Sequence, residues 1–305
     1  MIRRIISLST VFALFVMSVV FVLASCEKPI INDDDATGAK NGNLRVSVYQ
    51  IEKTPFASLT RAGNEVITRA SKSASEVVSR LNFAIYDLSD LRLKQVNQTS
   101  DMADFGHASF QLEEGTYQLV VVGHSANGNP TMTNPAKIQF TNSTGYTDTY
   151  IYYSEVTIGE DAVDLQVSLD RIVALCRFVV TDDIPADVRK MQFYYTGGSG
   201  AFNAATGLGS VASKQTVTVD VTDGSQKQFD LYTFLHEPSD NISLKVTALD
   251  VSGNVLYERT FDVPMEQNHI TWLSGAFFNG SGSSSTSVTD VTVNTDWAGE
   301  THLTF

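Results

Sequence analysis

Val163-Asp164-Leu165-Gln166-Val167-Ser168-Leu169 sets four aliphatic residues at every second position, with polar residues between them. Extended backbone turns successive side chains to opposite faces, so this pattern gathers all four on one side of a strand. A helix would scatter them around its circumference. After Asp170-Arg171 comes Ile172-Val173-Ala174-Leu175-Cys176-Arg177-Phe178-Val179-Val180, almost continuously apolar. That run predicts a second strand, buried on both faces or passing between sheets.

The period of two continues outward in both directions. Toward the N-terminus, Leu44, Val46 and Val48 alternate with Arg45, Ser47 and Tyr49, and Leu81, Phe83 and Ile85 alternate with Asn82, Ala84 and Tyr86. Gly115-Thr116-Tyr117 opens an apolar run that reaches residue 122. Toward the C-terminus, strands are predicted over residues 191–195, 216–221, 229–235, 242–249, 255–261, 269–273 and 288–293. Only residues 65–79 and 185–190 leave room for a few turns of helix. Short strands at this density, separated by Gly, Asn, Asp and Pro, predict an all-β chain of antiparallel β-sandwiches rather than a βαβ sheet.

Length and repetition point to two such domains. The segment Asn82-Phe83-Ala84-Ile85-Tyr86-Asp87-Leu88-Ser89-Asp90 is echoed by Lys245-Val246-Thr247-Ala248-Leu249-Asp250-Val251-Ser252-Gly253, each a strand ending in Asp, an aliphatic residue and Ser. Two readings stay open, a duplicated domain and the common chemistry of hairpin turns. We divide the chain into residues 1–25 (signal peptide), 26–43 (acidic tether), 44–165 (first sandwich) and 166–305 (second sandwich).

The N-terminus carries Arg3 and Arg4, an apolar run over residues 5–23, and Leu23-Ala24-Ser25-Cys26. This resembles a bacterial lipoprotein signal, in which Leu23, Ala24 and Ser25 would admit the signal peptidase and Cys26 would receive diacylglycerol. The competing reading is an uncleaved transmembrane helix, since the run approaches the roughly 18 to 20 residues that span a bilayer. At roughly 0.8 kcal/mol per buried CH₂, a multi-chain lipid would hold the protein permanently at a membrane. Residues 27–43, polar and small, read as a coil with a root-mean-square span of roughly 20 to 25 Å. The Asp33-Asp34-Asp35 run reads as solvated, and it also resembles the acidic export signal behind the lipidated cysteine of some Bacteroidetes surface lipoproteins.

Charge and cysteine content narrow the function. Removing residues 1–25 takes away Arg3 and Arg4 and moves the formal charge from -13 to -15. An acidic chain with no basic cluster interleaved with aromatics repels phosphate backbones, so no nucleic-acid partner is expected. The cysteines are Cys26 and Cys176. With Cys26 lipidated, Cys176 lacks an intrachain partner and reads as a buried, inert thiol.

No constellation of catalytic residues emerges. His107, His124, His236, His269 and His302 are scattered, none at metal-ligand spacing, so no metal and no cofactor is expected. Asp182-Asp183 imitates a carboxylate pair, but neighbours on extended chain point apart. Residues 196–209 are glycine-rich yet lack a Gly-Lys-Ser/Thr ending and a following helix, which leaves a long β-connection rather than a phosphate loop. A Gly-x-Ser-x-Gly elbow is absent from the sequence. Tyr146, Tyr150, Tyr152, Tyr153 and Trp272 are the candidates for stacking on sugars, against the commoner role of strand aromatics in a core. We therefore expect a protein that is not an enzyme.

Several short motifs carry a resemblance when taken in chain order. They are Leu112-Glu113-Glu114-Gly115-Thr116-Tyr117, Leu169-Asp170-Arg171-Ile172-Val173-Ala174, Val263-Pro264-Met265-Glu266-Gln267-Asn268-His269-Ile270-Thr271, Gly275-Ala276-Phe277-Phe278, and Asp296-Trp297 before a last strand. Together with the lipoprotein signal, they resemble the FimB-like fimbrial anchors of Bacteroidetes, relatives of the fimbrillins that build type V pili. The resemblance implies two tandem transthyretin-like antiparallel β-sandwich domains and a lipid-anchored site in the outer membrane at the cell surface. It also implies other fimbrial subunits as partners, joined by β-strand exchange. In stalk and tip members a trypsin-like protease cuts after an arginine and removes the first strand. Leu59-Thr60-Arg61-Ala62 and Ile67-Thr68-Arg69-Ala70 both offer such an arginine. Cleavage at Arg61 or Arg69 would make a stalk or tip subunit, and its absence an anchor. The alternative from another class is a surface glycan-binding lipoprotein of a polysaccharide-utilisation system.

Overall fold

The computed structural model describes residues 42–52, 73–221, 224–279, 287–290 and 297–305. Leu23, Ala24, Ser25, Cys26, Arg61 and Arg69 lie outside the described residues. The chain is all-β, two sandwiches in tandem. The first is built from β1 (Leu44–Glu52), β2 (Arg80–Tyr86), β3 (Arg92–Thr99), β4 (His107–Phe110), β5 (Gly115–His124), β8 (Thr149–Ile158) and β9 (Val163–Arg171), in the order β3-β2-β5-β8-β9-β1-β4. Between β5 and β8 the chain makes β6 (Thr131–Asn134) and β7 (Lys137–Gln139). A single helical turn, α1 (Ala74–Val77), precedes β2, and its start is held by the Ser73 N–H donating to Glu76 Oε2 at 2.8 Å. The expected turns at residues 185–190 reduce to one bend closed by Val188 N–H on the Pro185 carbonyl, 3.0 Å.

The second sandwich has two sheets. One runs β13 (Gln215–Asp220), β11 (Lys190–Thr196), β15 (Ser239–Leu249), β16 (Val255–Glu266). The other runs β14 (Gln228–Thr233), β10 (Ala174–Val180), β17 (His269–Gly275), β19 (Gly299–Thr304), β18 (Ser287–Asp290). β9 runs unbroken through residues 165 and 166, and Ile172-Val173 lies between it and β10.

The two strand orders match. β3-β2-β5-β8 corresponds to β13-β11-β15-β16, and β4-β1-β9 to β14-β10-β17. Both halves contain a parallel central pair, β1 with β9 and β10 with β17; the other ladders are antiparallel except that of β17 with β19. This is a duplication of topology. The sequence echo is something else, because its two segments fall on β2 and β15, which are not counterparts. What they share is the turn. Asp87 Oδ1 accepts from the N–H groups of Ser89 (2.8 Å) and Leu91 (3.0 Å), as Asp250 Oδ1 does from Ser252 and Asn254 (both 2.8 Å). Each turn ends on a left-handed residue, Asp90 (φ 67°) or Gly253 (φ 84°).

Three cores result. One fills the first sandwich (Leu44, Val46, Phe83, Leu119, Val167, Leu169 and neighbours), and another fills the second (Phe178, Phe193, Leu244, Phe261, Leu273 and neighbours). The third lies between them and contains Ala84, Val120 and Val122 from the first half with Leu175, Phe234 and Ile270 from the second. The continuous apolar runs follow from this arrangement. In β5, Leu119 and Val121 face the first core while Val120 and Val122 face the shared layer. In β10, Cys176 and Phe178 face the second core and Leu175 faces the shared layer.

The glycine-rich connection of residues 196–209 clasps the halves. Its two-residue strand β12 (Ala201–Phe202) pairs antiparallel with β7, Ala201 opposite Gln139 and Phe202 opposite Ile138. Gly197 takes φ 94°, and a methyl group at Gly198 would overlap the Thr233 side chain. These glycines let the connection lie flat against β14 and β15.

Candidate functional site

β1 is a central strand bonded on both edges. It runs parallel to β9, from Leu44↔Val163 to Glu52↔Asp170, and antiparallel to β4, from Leu44↔Phe110 to Ser47↔His107. Leu44, Val46, Val48 and Ile51 all point into the first core, each no more than 8% exposed. A register shift between Val48 and Gln50 lets Ile51 keep the inward face that strict alternation would deny it. The strand's start is pinned by Asn43, whose side chain both donates to the Leu112 carbonyl (2.8 Å) and accepts from the Leu112 N–H (2.9 Å). Arg45 Nη1 lies 3.3 Å from the Asp164 carboxylate, an exposed pair. In sequence, Arg61 and Arg69 follow β1 and precede α1.

A second constellation sits where the chain leaves β9. Arg171, its side chain 2% exposed, grips Asp148 with two bonds, Nε to Oδ1 at 2.7 Å and Nη2 to Oδ2 at 2.8 Å. Nη2 also donates to the Tyr150 hydroxyl (2.6 Å), which donates to Asp148 Oδ2 (2.7 Å), and Nη1 donates to Asn268 Oδ1 (3.2 Å). The guanidinium plane lies 3.9 Å from the ring centroid of Trp297. Burial alone would lower the Arg171 pKa, but the bonds and charge of Asp148 raise it overall. Burial, with the Asp148 charge second, pushes the Tyr150 phenol far above its usual range. Asn268, at φ 59°, donates its N–H to the Val173 carbonyl (2.9 Å) and accepts from the Ala298 N–H (2.8 Å). Arg171 thus ties β8, the β16–β17 turn and the C-terminal segment together. Arg171 and Trp297 stood in the quoted motifs; Asp148, in a polar loop, gave no sequence signal.

The remaining candidates disperse. Asp182 and Asp183 diverge as expected: Asp183 pairs with Lys227 at 3.1 Å, while Asp182 accepts from the N–H groups of Phe277 (2.9 Å), Phe278 (2.8 Å) and Asn279 (2.7 Å). Asp182 therefore anchors the corner after β17. Trp272 lies between the Arg177 guanidinium (4.8 Å) and the stacked His302 ring (5.5 Å), and its Nε1–H donates to Glu300. With both ring faces covered and Tyr150 fully buried, Tyr146, Tyr152 and Tyr153 remain as sugar-stacking candidates. Tyr152 and Tyr153 line an open cavity of about 400 Å³ with Asp170, Arg171, Thr206 and Gln267.

Burial, with Arg80 second, lowers the pKa of His124 to about 4. His107 lies against Ser47, and His236 and His269 against backbone carbonyls. No group of three His, Cys, Asp or Glu side chains able to hold a metal occurs among the described residues. Cys176 is buried, and its thiol is pushed up to about 12, first by burial and then by Asp230.

Residues 39–304 match the model described as "Family of unknown function (DUF6562)". The chain belongs to this family. Among curated proteins, none matches it. Solved structures similar to this DUF6562 chain include a putative adhesin from Bacteroides ovatus ATCC 8483, with 16% identity, a TM-score of 0.43, and coverage of 67% of this chain and 87% of that one. A fimbrial assembly protein from Parabacteroides distasonis has 13% identity, a TM-score of 0.36 and coverage of 76% and 89%. The fimbrial anchor protein Mfa2 from Porphyromonas gingivalis has 13% identity, a TM-score of 0.40 and coverage of 71% and 80%.

Proposed function

We propose that this DUF6562 protein is a lipid-anchored, non-enzymatic subunit of a cell-surface fimbria, an anchor or accessory component that joins its neighbours by β-strand exchange. The observation that carries the reading is the position of β1. A strand bonded on both edges leaves two unpaired edges behind when it is withdrawn, those of β9 and β4, and uncovers the core that Leu44, Val46, Val48 and Ile51 had filled. An incoming strand would regain those main-chain bonds and roughly 1.5 to 3 kcal/mol for each large aliphatic side chain it buries.

Arg61 and Arg69 lie in sequence between β1 and the rest of the sandwich. A cut after either one frees β1 together with the lipidated Cys26. An uncut chain keeps both, so its own groove stays filled and it joins a neighbour by giving a strand to that neighbour's vacated groove, while the lipid bears the load of the assembly. The anchor reading takes the uncut chain. N-terminal sequencing and mass analysis of the protein recovered from cells test it: the expected product begins at lipidated Cys26 in the membrane fraction and loses that location in Cys26→Ala. An N-terminus at Ala62 or Ala70 in sheared fimbriae would instead make it a polymerising stalk or tip subunit and sink the anchor role.

A further inference from the structure

Among the described residues, the duplicated strand order leaves one position filled in the second half and open in the first. β17 has β10 on one edge and β19 on the other, parallel, from His269↔Gly299 to Ser274↔Thr304. There Leu303 is buried in the second core and Phe305 stacks on Phe178 at 5.3 Å, so the C-terminal strand closes the side of that sandwich. β9 is the counterpart of β17. It has β1 on one edge, but on its other edge, among the described residues, only Asp170 and Arg171 are paired, with Ile151 and Tyr150.

The direction of the backbone groups follows from one bond. Val163 N–H donates to the Asn43 carbonyl at 2.7 Å, on the β1 side. Groups alternate along an extended strand, so the N–H and C=O of Asp164, Gln166 and Ser168 point the other way, as those of the β8-paired Asp170 do. Beside this edge, Val163 and Leu165 are only half-buried at the rim of the first core, with Tyr152 of β8 also half-buried at that core's margin. In the second half the corresponding rim is where Leu303 enters. Of the other outer strands, β3 carries Arg92 and Lys94, and β16 carries Glu258, Asp262 and Pro264, features that discourage pairing. Residues 163–169 include no Lys, Arg or Pro and one acid, Asp164.

We infer that the outer edge of β9 is a docking site for a strand of β19's chemistry supplied by a second polypeptide. The fitting segment is extended and proline-free over about six residues. It runs parallel to β9 and sends aliphatic or aromatic side chains between β8 and β9 at alternate positions. The site is on the opposite edge of β9 from β1, so it is available while β1 stays in place and does not depend on strand exchange there.

The test titrates a fluorescent peptide of residues 297–305 against the intact chain and reads anisotropy. Saturable binding is expected. Gln166→Pro removes an outward N–H while sparing the bonds to β1, and it should weaken binding about tenfold or more with β1 amides still protected from hydrogen exchange. Methylating alternate backbone nitrogens of the peptide leaves the protein untouched and should weaken binding similarly. No saturation by about millimolar peptide, or unchanged affinity in both Gln166→Pro and the methylated peptide, overturns the site. Because β1 remains docked throughout, either result leaves the N-terminal processing question to its own experiment.

Discussion

Ala126 N–H donates to His124 Nδ1 at 3.1 Å, which fixes the ring proton on Nε2, where it is given to Asn82 Oδ1 at 2.8 Å. Both ring nitrogens are used in the neutral form, and a second proton would have to displace a bond in a buried site. With a folded pKa of about 4 against about 6.5 when unfolded, the unfolded chain binds a proton that the folded chain refuses. Stability is therefore complete above pH 6.5 and falls as the pH drops toward 4, by about 3 kcal/mol. Urea midpoints measured across that range should slope less in His124→Gln; parallel slopes would dismiss the histidine as the cause. Arg171 supports a second expectation. Arg171→Lys gives up the two-pronged grip on Asp148 and the plane over Trp297, at a cost of about 3 kcal/mol, and a double-mutant cycle with Trp297→Ala should show coupling of about 1 kcal/mol. Asp182→Ala strands three N–H groups at the corner after β17 and should cost about 3 kcal/mol in the same denaturation assay.

At the scale of elements, the turn after β15 shows what sequence conveys well. Asp250 gathers the N–H groups of Ser252 and Asn254, so Asp250→Ala should lower the urea midpoint, with Gly253 still supplying the left-handed closing residue. Such chemistry is local, as is alternation along a strand, and for that reason residues 163–169 and 269–273 were readable as strands. β6, β7 and β12 were not, since runs of two to four residues carry no period. β3 escaped because Arg92, Lys94, Gln95 and Asn97 make an outer strand look like a loop. The parallel pairing of β1 with β9 joins residues more than a hundred positions apart in sequence, and nothing in either segment names its partner. The central position of β1, on which the functional reading rests, thus became visible only with the sheet order, and so did the edge of β9 that the described residues leave unpaired.

The molecule as a whole is held by the layer that neither sandwich owns. Ala84, Val120 and Val122 meet Leu175, Phe234 and Ile270 there, and Phe202 enters from the β12–β7 clasp, 4.8 Å from the Phe234 ring. Only Ile172-Val173 separates β9 from β10, and both side chains are buried in the same layer. Two halves joined this way should not open separately, because opening either one exposes apolar surface belonging to both. Phe202→Ala leaves a cavity against strands of both sandwiches and should cost about 3 to 5 kcal/mol. Under conditions where exchange reports subglobal opening, amides of β5 in the first half and of β15 in the second should then speed up together. The buried Cys176 thiol should become reactive at that same rate. Acceleration confined to β15 would mean that the shared layer transmits nothing, and that load applied to the first sandwich could unfold it while leaving the other intact.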